Sequence, residues 1–124
     1  MSDPGVIYRS EALVLRDAHC SLHDQWPGPE EYAEDPNIVL VRSGLFTRTT
    51  SGDTRVADPN HVLFFTRREP YRVTHPVAGG DRCTSIALRT SDLRDVVRTC
   101  APGDAERDDA PFAFAWALIR PSDR

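Results

Sequence analysis

Two residues in VTHPVAGGDRCTS, residues 73–85, are of types that bind transition metals. His75 offers an imidazole and Cys83 a thiol, with seven residues between them. Imidazole and thiolate together suit zinc, and also copper or iron. If the segments on either side pair as an antiparallel hairpin, the two side chains face each other at roughly 5 Å. A structural zinc takes four protein ligands and a catalytic one about three. Cys20 is the candidate third ligand and His23 the fourth, in the pattern Cys-x-x-His. On a regular strand Cys20 and His23 point to opposite faces, because side chains alternate with a period of two. Both reach one ion only where the strand bends or ends, as it can on entering DQWPGPEE. The competing reading makes Cys20 and Cys83 small buried apolar residues and His75 a hydrogen-bonding partner of a turn carbonyl. In either case Gly79 and Gly80 permit the positive backbone angles of a tight hairpin turn.

The elements that must position these residues are short. Ten prolines and seven glycines are scattered along the chain, a pattern of many strands joined by turns. Strand-like runs recur in EALVLRDAHCSLH, NIVLVRSGLFTRTT (broken by Gly44), DTRVAD, HVLFFTR, PYRVTH and RCTSIALR. Tyr71, Val73 and His75 share one face of their run. Ile86 and Leu88 share a face of theirs, with the small residues Cys83, Ser85 and Ala87 on the other. TSDLRDVVRTC predicts one short amphipathic helix at about 90–99. Thr90 or Ser91 is its cap, Asp92 sits in its first turn, and Leu93, Val96, Val97 and Cys100 form its apolar stripe. The fold class is therefore all-β with a short helix after it. Residues 1–100 read as the barrel and helix, 101–111 as a polar linker, and 112–124 as an apolar covering or dimerisation segment. In that last segment Phe112, Phe114, Trp116 and Leu118 alternate with alanines. Period two argues strand, alanine content argues helix, and strand is the expectation.

Composition excludes several functions. The 124 residues suit one domain, and 40% hydrophobic content argues against disorder. The net charge is -4, and all fifteen basic residues are arginines spread along the chain. Direct nucleic-acid binding by this chain alone is not expected, since phosphate contacts need a clustered positive surface. No stretch approaches the ~18 apolar residues of a membrane span, and MSDPGVIYRSEALVLRDAHC has no export-signal pattern. A cytoplasmic location follows as the expectation. The three cysteines then read as thiols rather than a disulfide framework.

Residues 38–88 resemble the N-terminal sensor domain of AraC-type transcriptional regulators. The matching features are Arg42-x-Gly44 closing a hydrophobic strand, the Asp58-Pro59 turn, Glu69-Pro70-Tyr71, His75-Pro76, and Gly79-Gly80-Asp81 with Cys83-Thr84. Cys20, upstream of Trp26-x-x-x-Glu30, fits as well, so that the likeness runs over about 8–97. The resemblance implies a cupin-like double-stranded β-helix barrel that receives a signal, with dimerising helices after it and a separate helix-turn-helix domain that grips DNA. No helix-turn-helix candidate occurs here, and such a domain needs on the order of a hundred further residues. Two readings stay open: a sensor domain lacking its DNA-binding partner, acting as a homodimer with a small-molecule effector, or a stand-alone small cupin that binds a metal as an enzyme or sensor. A third reading is a protein–protein adaptor working through 112–118.

Metal-dependent cupin enzymes generally carry His-x-His followed by a glutamate, and this sequence has no His-x-His. Catalysis is therefore not the expectation, and His61 reads as a turn residue. For an effector pocket the inward candidates are Phe46, Phe64, Tyr71, Val73, Ile86 and Leu88. Tyr71 and Arg72 would supply polar specificity, Trp26 is a further ligand-binding candidate, and the acidic run 30–35 beside it is a candidate lid. The cofactor expected under the metal reading is zinc or another transition metal.

Overall fold

The computed structural model describes residues 5–21, 26–100, 103 and 116–118. In chain order these form β1 (Val6–Arg9), β2 (Leu13–Cys20), β3 (Asn37–Ser43), β4 (Phe46–Thr50), β5 (Asp53–Ala57), β6 (His61–Phe65), β7 (Arg72–Thr74), β8 (Asp81–Leu88), α1 (Thr90–Cys100) and β9 (Trp116–Leu118). The strands build two antiparallel sheets, a six-stranded one ordered β1-β2-β8-β3-β6-β9 and a three-stranded one ordered β5-β4-β7. No helix among the described residues is long and apolar enough to cross a membrane.

Alternation along the strands sets the core between the sheets. Val41 and Leu63 from the large sheet meet Phe46 and Ala57 from the small one, and Val39, Phe65, Val73 and Cys83 pack against them. Because Cys83 faces inward, its neighbours two positions along β8 share that face. Ile86 and Leu88 therefore lie on the outer face, where Ile86 is opposite Leu15 and Ile38, and Leu88 is opposite Leu13. Phe64, opposite Ile38, is on the outer face too. Period two sorts residues into faces but does not say which face is inside. Here the inner face takes the small residues of β8, and the larger ones pair with leucines and isoleucines outside.

The segment 73–85 is not a hairpin. β7 pairs with β4, while both edges of β8 are taken, by β2 and by β3. The connection between them crosses from one sheet to the other. Gly79 and Gly80 do take positive φ, 100° and 77°. Gly80 also marks a close approach: a Cβ there would collide with the Cys20 carbonyl, and one on Gly44 would collide with the Gly80 carbonyl. Three chain segments are stacked backbone against backbone at this end of the barrel.

Helix α1 follows β8 directly, with the Leu93 N–H bonded to the Arg89 carbonyl at 3.0 Å. Leu93 is buried, but Val96 is 62% exposed, so the apolar stripe is narrower than the sequence spacing implies. The side chains of Val97 and Cys100, residues 112–115, 119–124 and the linker except Gly103 lie outside the described residues. Trp116–Leu118 is a strand, paired with Leu63–His61 of β6.

The Asp58–His61 turn is held by its first side chain. The Asp58 carboxylate accepts from the Asn60 N–H and from the His61 ring, both at 2.8 Å. Burial pushes the Asp58 pKa up, but these bonds and the His61 charge outweigh it and hold it below the usual carboxylate value. A depressed folded pKa stabilises above the unfolded value and is lost as pH falls through the folded one. Asp58→Ala is expected to cost about 1 kcal/mol near neutral pH and nothing once the pH is well below about 4, read by denaturant unfolding at both ends. Gly80→Ala combines a left-handed backbone with a backbone collision. It is expected to lower stability by more than about 2 kcal/mol, seen as a fall in melting temperature.

Candidate functional site

Cys20 ends β2 and Asp81 begins β8, and the two are cross-strand partners. Both lie on the inner face with Cys83. From the opposite sheet, Val73 packs on the core and His75, two residues on, follows it inward. The sheets thus bring four polar side chains together at one end of the barrel. The His75 Nδ1 lies 3.0 Å from Asp81 Oδ2 and its Nε2 lies 3.6 Å from Cys20 Sγ. A carboxylate only accepts, so Nδ1 carries the proton it donates to Asp81. The His75 side chain is 15% exposed and that of Asp81 8%. Donor atoms of Cys20, His75 and Asp81 all lie within 4.8 Å of one another.

Cys83 occupies a different place from the one its spacing to His75 implies. Its thiol donates to the other oxygen of Asp81, at 3.7 Å. Burial first, then the charge and hydrogen bond of Asp81, push the Cys83 thiol up to about 12. It is a protonated neighbour of the cluster, and His75 is met by Cys20 and Asp81. His23 lies outside the described residues. Asp81 enters the sequence reading only as part of the Gly79-Gly80-Asp81 match, not as a ligand. Its signal was its position: a carboxylate two residues before Cys83 on the same strand face.

A second feature lies further along the same inner face. Ser85 of β8 is opposite Arg16 on one side and Val39 on the other. With Ala33, Asn37, Phe65 and Tyr71 they line a cleft of about 270 Å³. Its aromatic wall is an edge-to-face pair, Phe65 and Tyr71, with ring centroids 4.8 Å apart. Behind it, the buried Arg48 guanidinium sits 4.5 Å above the Phe65 ring centroid and donates to the Phe64 carbonyl at 3.1 Å. Burial, with the Glu31 charge adding to it and Arg48 opposing, raises the Tyr71 pKa, which keeps its hydroxyl a donor at neutral pH. The Asn37 Oδ1 is buried with no hydrogen-bond partner.

Of the pocket residues named from sequence, Tyr71 lines this cleft. Phe46 and Val73 are part of the core, and Phe64 is on the outer face. Trp26 is 79% exposed. The chain after it is tied down instead of standing over an opening: Gly28 N–H donates to the Val73 carbonyl at 2.8 Å, and Glu31 and Tyr71 exchange two backbone bonds of 2.9 Å. Arg72 points to this strap, donating to the Gly28 carbonyl at 2.9 Å. Arg16, Asn37 and Ser85 were missed, because a polar residue on a strand carries no mark of which face is inside.

A larger groove of about 640 Å³ lies over β2 and β8, lined by Asp17, His19, Arg42, Arg82 and Thr84 among others. Its floor is already satisfied internally. Arg42 donates to Thr84 at 3.1 Å, and Thr84 donates to Asp17 at 2.7 Å.

No protein-family model matches the chain, and no curated protein matches it in sequence. Solved structures do match. A cupin superfamily protein from Desulfitobacterium hafniense superposes over 68% of this chain and 73% of its own, with a TM-score of 0.55 at 15% identity. The fold is that of the cupins. A Ralstonia eutropha protein, whose assignment as a mannose-6-phosphate isomerase is itself an inference, matches over 68% of this chain and 81% of its own (TM-score 0.59, 18% identity). ToxT from Vibrio cholerae matches over 92% of this chain at a TM-score of 0.64 and 6% identity, and the match spans 44% of ToxT. In a further structure ToxT is bound to (E)-4-(8-methylnaphthalen-1-yl)but-3-enoic acid, with 10% identity and a TM-score of 0.58 over 76% of this chain and 36% of ToxT. A fold shared by such different proteins assigns no activity by itself.

The position of Cys83 predicts its reactivity. In the native protein at mildly alkaline pH, iodoacetamide should label Cys83 far more slowly than after unfolding in guanidinium, as read by peptide mass spectrometry. Asp81→Asn removes a charge that raises the thiol's pKa and should speed that labelling several-fold.

Proposed function

We propose that this cupin is the effector-sensing, dimerising barrel of an AraC-type transcription regulator, working in the cytoplasm. Its effector is a compact organic acid with an apolar body. The observation that carries this reading is the make-up of the inner cleft. It sets Arg16, Tyr71 and Ser85 beside an aromatic and aliphatic wall of Phe65 and Val39. Effector pockets are mostly apolar with a few convergent polar groups, and arginine with a hydroxyl donor suits a carboxylate. The buried acceptor on Asn37 adds a place for a ligand donor. ToxT, an AraC-type regulator, holds an aromatic carboxylic acid, and the likeness of fold supports a related use here.

The test is a panel of aryl and alkyl monocarboxylic acids, followed by thermal shift and calorimetry. Members of the panel should raise the melting temperature, and Arg16→Met should weaken their binding by about tenfold or more. If no acid stabilises the protein, or if Arg16→Met binds equally well, the effector reading fails. Sedimentation should show a concentration-dependent dimer; a monomer throughout the soluble range would remove dimerisation from the proposal.

A second reading, a cupin that binds a transition metal, is favoured by a different observation, the cluster of Cys20, His75 and Asp81.

A further inference from the structure

We propose that Cys20, His75 and Asp81 together bind one transition-metal ion, with zinc the metal that their donors suit. The three come from two sheets and from positions far apart in sequence, and they meet at a largely buried end of the barrel. Their donor atoms lie within 4.8 Å of one another, a span within reach of a single ion. The Cys20 Sγ and His75 Nε2 are 3.6 Å apart. A tetrahedral zinc with bonds of about 2.3 Å to sulfur and about 2.0 Å to nitrogen separates those two ligands by about 3.5 Å. Asp81 Oδ2 is bonded to the other ring nitrogen, Nδ1, so with Nε2 on the ion the carboxylate gives up that bond to enter the coordination sphere, within the 4.8 Å span of the three donors.

The donor set also selects the metal. One soft thiolate, one imidazole and one carboxylate suit zinc and disfavour magnesium or calcium, which take oxygen ligands. Three protein ligands leave a fourth position for water or a small ligand. The His-x-His set of metal-dependent cupin enzymes is absent, so this site draws its donors from other strands. Binding converts the Cys20 thiol to a thiolate and releases its proton to solvent. The backbone stack at Gly44, Gly80 and Cys20 fixes the two strand ends that carry Cys20 and Asp81, so that the ligands are held before the metal arrives. Ser85 and Arg16 lie further along the sheet, so the metal site and the acid cleft are separate.

The probe is cobalt(II), added to tag-free protein prepared without chelator and with reduced thiols. One equivalent should produce a thiolate-to-cobalt charge-transfer band and the visible bands of a tetrahedral ion, and zinc should displace it. Calorimetry in buffers of different ionisation enthalpy should show the released proton. Zinc should also protect Cys20 from iodoacetamide. Cys20→Ser should abolish the charge-transfer band, and Asp81→Asn should weaken binding by at least about tenfold. Wild-type protein that gives no such spectrum, and whose Cys20 zinc does not protect, carries a hydrogen-bond relay only, and the proposal fails. A charge-transfer band that survives Cys20→Ser overturns it too, since another thiol is then the ligand. Because the wild-type measurements need no variant, misfolding of a variant leaves the test intact. Arg16→Met should bind cobalt normally, which separates failure of this site from failure of the effector reading.

Discussion

The buried carboxylate of Asp81 joins the two sheets at one end of the barrel. One oxygen takes the His75 proton from the small sheet, and the other takes the Cys83 thiol from its own strand. A carboxylate at 8% exposure is costly unless its oxygens are bonded, and here both are. The same residue opens β8 beside Cys20. Position, pairing and charge at this end of the barrel therefore rest on one side chain, and the glycine stack beneath it leaves the surrounding backbone little room to relax.

The inner face of β8 carries a graded series. Asp81 and Cys83 belong to the polar cluster, Ser85 to the cleft, and Ala87 to the buried region near Pro36. Two candidate binding features thus share one strand that is hydrogen-bonded along both edges.

The sequence read well where local chemistry decides. The alternating runs became strands, Gly79 and Gly80 took positive φ, and TSDLRDVVRTC formed the helix. Other features depend on which strands become neighbours. The hairpin expected around 73–85 does not form, because β8 has its edges filled by β2 and β3. Ile86 and Leu88 point outward for the same reason: the register with β2 and β3 sets their face. The Cys20–His75 pairing was within reach from spacing, while Asp81 was hidden by its second role at the end of a glycine turn. Arg16 and Asn37 gave no local sign, because polarity alone does not say which face of a strand turns inward.

The far edge of the large sheet is closed by a strand of only three residues, β9, lying along β6. Fifteen residues separate α1 from this strand in the sequence, and backbone hydrogen bonds of its kind do not depend on which copy of the chain supplies them. Two copies that exchanged this segment would each keep a closed edge and would become linked in doing so. The two edges of β6 are thus filled by β3 on one side and by a segment remote in sequence on the other.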